Sequence, residues 1–149
     1  MPNCCLIESA ANGSHQCFDF LGYAFGPHHD ERGGERYLGA SPSKKSVRRI
    51  KSAVSDLLVP REKGPWPDVR DRLNRLLQGW SAYFSYGTRS RAYRAVYYHV
   101  CDRVRHFLRS RHNAHGRGTR RFHPAMIFGT LGVLPLRRVH IAPRPWASR

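Results

Sequence analysis

His28-His29-Asp30-Glu31 puts four residues of metal-ligand type in a row, and His112 and His115 add two more. Neither set is spaced to converge on one ion. The first four are adjacent in a stretch of turn residues, and the second pair has no cysteine partner. The zinc-protease spacings H-E-x-x-H and H-x-x-E-H do not occur in the sequence, nor do the phosphate-cradling patterns G-x-x-x-x-G-K-[ST] and G-x-G-x-x-G. The carboxylates of the basic part of the chain, Asp56, Glu62, Asp68, Asp71 and Asp102, form no close pair of the kind that holds two Mg²⁺ ions. No nucleophile has an identifiable base. These residues predict a chain with no catalysis, metal or cofactor of its own.

Arginine among aromatic residues is the combination that does point to chemistry. Tyr83, Phe84, Tyr86, Tyr93, Tyr97 and Tyr98 are interleaved with Arg89, Arg91 and Arg94. Aromatic rings stack on bases and guanidinium groups pair with phosphates, so the mixture suits RNA. Helical spacing assigns Phe84, Tyr93 and Tyr97, with Trp80, to a core, while Tyr86 and Tyr98 fit either role. The whole chain has 26 Lys and Arg against 10 Asp and Glu, a net charge of +16. Residues 1–43 carry a net of −3 and residues 44–149 a net of +19. A domain so charged seeks a polyanion, nucleic acid before anionic membrane.

The elements that must carry these residues follow from periodicity. Residues 1–17 show no period and read as a loose leader. They contain no Lys or Arg, which does not fit a signal peptide. No apolar run reaches the roughly 20 residues of a membrane span. The four cysteines, Cys4, Cys5, Cys17 and Cys101, have no C-x-x-C spacing and fit a reducing cytoplasm better than a disulfide framework. Residues 18–40 read as a β-hairpin, with strands near 18–25 and 35–39 and a bulge at Gly22. Ser41 is the expected cap of a first helix, with Pro42 in its first turn and Val47, Ile50, Ala53, Val54, Leu57 and Leu58 on its apolar face. Pro67 begins a second helix, striped by Val69, Leu73, Leu76, Leu77, Trp80 and Phe84, with Gly87 as its stop. A third starts near Ser90 and buries Tyr93, Val96, Tyr97, Val100, Cys101, Val104, Phe107 and Leu108. Residues 113–149 read as a basic loop, a short apolar element from Ala125 to Leu131, and a Pro-rich tail. The expected fold is mainly α, of α+β type: a three-helix bundle over 41–112 with an N-terminal β-hairpin and a short helical or extended C-terminal segment.

Four stretches carry a resemblance. FDFLGYAF (18–25), SPSKKSVRRIKSAV (41–54), LNRLLQGWSAYFSYG (73–87) and GRGTRRF…FGTLGVLPLRRVH (116–140) resemble, in order, the maturase-specific domain of group II intron reverse transcriptases. This domain corresponds to the polymerase thumb. The resemblance implies a domain that binds group II intron RNA, helps it fold for splicing and holds template and primer. It implies RNA contacts from Lys44, Lys45, Arg48, Arg49 and Lys51 on the first helix and from Arg89, Arg91, Arg94, Arg105 and Arg109 around the third. Arg117, Arg120 and Arg121 of the basic loop join them. Asn74, Gly79 and Trp80, with Tyr83 and Phe84, would be scaffold residues of the signature. A bacterial, cytoplasmic location is implied as well.

The family's aromatic–Ala–Asp–Asp palm motif and its fingers have no counterpart in this sequence. Mg²⁺ is thereby implied only for the parent polymerase and the intron ribozyme. The expectation is a truncated frame acting on RNA without polymerase activity. Two alternatives stand beside it: a subunit of a split RNA-directed DNA polymerase, partnered by a separately encoded fingers and palm fragment, and a nonfunctional remnant. Gly79 raises a question of its own. Glycine inside a helix costs roughly 1 kcal/mol relative to alanine, and Gly79 directly precedes Trp80. The resemblance suggests a close helix crossing beside that tryptophan, so that Gly79→Ala would lose packing.

Overall fold

The computed structural model describes residues 17–29, 36–116 and 120–136. Expectations for the leader, the hairpin tip, Arg117 and the Pro-rich tail lie outside these residues. The chain runs β1 (Phe18–Phe20), β2 (Tyr23–His29), β3 (Arg36–Pro42), α1 (Lys44–Leu57), α2 (Trp66–Tyr83) and α3 (Ser90–Arg111), then a π-helical turn at Met126–Thr130. The architecture is three helices with an antiparallel sheet at the N-terminal side, ordered β1-β2-β3.

The expected hairpin is a three-stranded meander. Phe20 pairs with Tyr23, leaving Leu21 and Gly22 as a two-residue turn. Both have positive φ, 49° and 82°, the combination that reverses a strand with the right twist. Gly22 therefore makes a turn and not a bulge. A Cβ on it would sit 2.8 Å from Ser46 Oγ and 3.2 Å from Phe84, so glycine is required there by conformation and by space.

The start of α1 also differs from expectation. β3 continues through Pro42, which pairs with Tyr23, and Ser43 is the cap. Its Oγ accepts from the Ser46 amide at 3.2 Å. The Ser43 amide and the Ser46 hydroxyl both donate to Gly22 O, each at 2.8 Å. These bonds lock the β1–β2 turn to the helix N-terminus and keep Ser43 and Ser46 buried in otherwise apolar surroundings. Helix α2 starts at Trp66, one residue before Pro67, and ends at Tyr83. Gly87 lies beyond it at φ +72°, where a Cβ would collide with Ala40 O. Thr88 N donates to that same carbonyl at 2.7 Å. Gly87 thus ties the α2–α3 loop to β3 and does not stop the helix.

The core is the meeting of the three predicted stripes. Ile50, Val54 and Leu58 of α1, Val69, Leu73 and Leu77 of α2, and Val96, Val100, Val104 and Phe107 of α3 are buried together. Ile127 and Val133 close one side. Tyr97 is half-buried and stacks on Phe128 at 4.4 Å. At the α1–α3 contact, His99 Nε2 lies 2.9 Å from Lys51 O and 3.0 Å from Ser55 Oγ. Burial pushes this imidazole below its ordinary pKa, so the neutral ring is the form that packs. Arg103 reaches across to Ser55 O and Leu58 O at 3.4 and 3.3 Å, supplying donors to the last carbonyls of α1. No helix among the described residues is long and apolar enough to cross a membrane.

Candidate nucleic-acid interface

Helix α1 has an apolar stripe because Ser46, Ile50 and Val54 recur on one face. The same period throws Lys44, Lys45 and Arg48 onto the opposite, exposed face, with Arg49 exposed at its border toward α2. Lys51 is half-buried and turned toward α3 through its own carbonyl, which receives the His99 contact. Lys45, Arg48 and Arg49 make no ion pair with a carboxylate among the described residues. Their charge faces solvent.

The arginines around α3 divide into two groups. Arg91 and Arg94 lie exposed in its first turns. The others are engaged in the fold. Arg89 donates to Ser85 O and lies 5.7 Å above the Tyr93 ring, fixing the α2–α3 loop. Arg105 bonds Asp102 at 2.9 Å, Phe122 O at 3.3 Å and Cys101 Sγ at 3.4 Å, with its side chain 17 % exposed. Arg109 donates to Gly116 O at 3.2 Å. The Asp102–Arg105 spacing of three is visible in the sequence, but the loop carbonyls of Phe122 and Gly116 that hold Arg105 and Arg109 are not revealed by any spacing. Arg120 and Arg121 are exposed, Arg121 lying 5.7 Å from the Phe122 ring.

The signature residues other than Gly79 are bonded or packed within the fold. Asn74 holds the segment after the π-helical turn in a two-point clamp: its Nδ2 donates to Gly132 O at 2.9 Å, and its Oδ1 accepts from Leu134 N at 2.8 Å. Trp66 Nε1 adds a bond to Leu131 O at 3.3 Å, and its ring packs beside Phe107. Trp80 sits between Phe84 and Tyr93, at 5.1 and 5.3 Å. Tyr83 donates to Leu21 O at 2.8 Å, and Tyr23 donates to Tyr83 O at 2.7 Å. The β1–β2 turn is thereby fastened to the end of α2. Tyr86 and Tyr98, open between two roles in the sequence, are 77 % and 60 % exposed.

Gly79 corrects the sequence expectation. A Cβ there would meet nothing within 4 Å, so no helix crosses closely at this point. Gly79 instead borders a groove of about 740 Å³ between α1 and α2. Helix α1 contributes Ser46, Arg49, Ile50 and Ala53; helix α2 contributes Arg75, Leu76, Gly79, Trp80 and Tyr83; the Leu21–Gly22 turn and Phe84 complete it. Both sets are single helix faces, at spacings of three or four residues. Arg75 was not among the residues singled out in the sequence. Its position four before Gly79 is the signal that could have found it.

The chain is strongly basic, with a net charge of +16, and its described residues form an α+β fold in which α1 carries an exposed cationic face and the β1–β2 turn is fastened to α2. The family model for the group II intron maturase-specific domain matches residues 47–123, just over half of the chain. The chain belongs to this family. No curated protein matches it.

Proposed function

We propose that this protein binds group II intron RNA and assists its splicing, with the exposed face of α1 as the main phosphate-contacting surface. Family membership implies a maturase-type role in splicing. The observation that carries the RNA contact is the row of Lys44, Lys45, Arg48 and Arg49 along the solvent side of one helix. Arg91 and Arg94 at the start of α3, and Arg120 and Arg121 in the loop after it, extend the surface. Arg89, Arg105 and Arg109 serve it indirectly, by holding the loops. The contacts are to phosphate, so affinity falls steeply with salt, and specificity comes from RNA shape and unpaired bases. No step of catalysis is assigned to the chain. The test is binding to structured intron RNA across a salt series, with Arg48→Glu/Arg49→Glu beside the native protein. The double variant should lose at least tenfold in affinity at about 0.1 M salt and keep its helical circular dichroism. Retention that ignores salt, or a double variant that binds as the native chain does, would overturn the reading.

The sheet favours a further partner. Phe18, Phe20 and Leu38 are 53 %, 59 % and 73 % exposed, and β1 leaves one sheet edge without a neighbouring strand among the described residues. An apolar sheet face with an open edge suits docking onto another folded unit. A separately encoded fingers and palm fragment is the partner that the family resemblance suggests.

A further inference from the structure

The groove between α1 and α2 has a composition that the α1 surface does not explain. Its floor is apolar, built by Ile50, Leu76 and Trp80. Among the described residues its charged lining is Arg49 and Arg75, with no carboxylate. Arg75 Nε donates to a backbone carbonyl, Asp71 O, at 3.4 Å, and Arg75 has no ion pair among the described residues. The Tyr83 ring on the lip is held in place by its bond to Leu21 O and by an edge contact with Phe84 at 4.8 Å. Gly79 leaves the wall without a side chain although nothing packs against it.

The ligand chemistry follows from these features. The groove accepts a flat group with apolar faces and surrounds it with guanidinium groups that pair with an anion on either side. Its volume lies within the range of small-molecule pockets, larger than a single base. A base inside a duplex presents only its edges, whereas an unpaired base can swing out and bury a face. We infer that the groove receives a single unpaired nucleotide of the bound RNA, its base lying on the Trp80–Leu76 floor and its flanking phosphates on Arg49 and Arg75. Gly79 is then the opening through which the base enters. This inference rests on the RNA-binding reading and adds to it a site selective for unpaired nucleotides.

The test uses the full chain and three RNAs: a perfect duplex, the same duplex with one bulged nucleotide, and the bulge with its base removed. Anisotropy should show the bulged RNA bound about tenfold more tightly than the other two, the scale of one base stacked on an aromatic side chain. Gly79→Leu, which keeps a good helix former in α2 and fills the groove, should bind the duplex as the native chain does and lose the preference. Gly79→Ala should retain it. Arg75→Gln should reduce it. Equal binding of the bulged and base-free RNAs, or a preference that survives Gly79→Leu, would overturn the inference and leave general RNA binding standing. The absence of salt-dependent binding to all three would overturn both.

Discussion

At the scale of single residues, Gly79 shows how position changes the meaning of a glycine. Other glycines are required by geometry: Gly22 and Gly87, for example, have positive φ, and Gly39 has the His28 ring 2.5 Å from where a Cβ would be. Gly79 has neither constraint. Gly79→Ala should therefore stabilise the fold by about 0.5–1 kcal/mol, the helix-propensity difference. Urea denaturation of the two proteins measures it. A destabilised variant would mean that a neighbour closes on the site. The close crossing beside Trp80 is what the family resemblance suggests for a glycine at the border of the apolar stripe. In the structure Leu76 and Trp80 line the groove between α1 and α2 and are half-buried there, not fully buried at a helix contact.

At the scale of elements, the most informative contacts join pieces distant in sequence. Asn74 sits on α2 and binds the backbone of residues 132–134, outside the stretch matched by the family model. A side-chain amide carries both N–H donors and a carbonyl acceptor, and so can pair with an extended backbone as a neighbouring strand would. Asn74→Ala leaves the Leu134 N–H and the Gly132 carbonyl without this partner. It should cost about 1–2 kcal/mol and raise hydrogen exchange at Leu134 selectively, while the α1–α3 core keeps its protection. Uniform loss of protection would show that the clamp supports the whole bundle. The same logic explains the shift of the first helix cap. Ser41 and Ser43 are both acceptable caps by type. Ser43 takes the role because Ser41 is paired with Ala24 in the sheet.

At the scale of the whole molecule, charge and apolar exposure are segregated. The cationic face of α1 looks to solvent, while Phe18, Phe20, Leu21, Tyr37 and Leu38 form an exposed apolar group on the sheet and its turn. If the sheet docks a fingers and palm fragment, mixing this chain with such a fragment from a full-length relative should give a complex by size-exclusion chromatography. Phe18→Ser/Phe20→Ser should prevent it without altering RNA binding. Co-elution unaffected by that variant would place the contact elsewhere. The Arg48→Glu/Arg49→Glu variant should show the reverse pattern, with association intact and RNA binding weakened.

Helical period and charge were legible in the sequence because each is local. Most residues expected on the three apolar stripes form the core, with Val47, Leu57, Leu76, Trp80 and Tyr97 half-buried at its margin, and the excess of arginine and lysine is a fact of composition. The motif order also identified the family. The sequence did not reveal that Leu21 and Gly22 form a turn, that Arg105 and Arg109 are bound to loop carbonyls, or that Gly79 opens a groove. Each of those depends on which backbone atoms arrive from elsewhere in the chain, or fail to arrive. Hydrophobic period selects the face that is buried. Only the packed helices decide how far apart two such faces stand at a given residue, and at Gly79 that separation makes a groove where the sequence suggested a crossing.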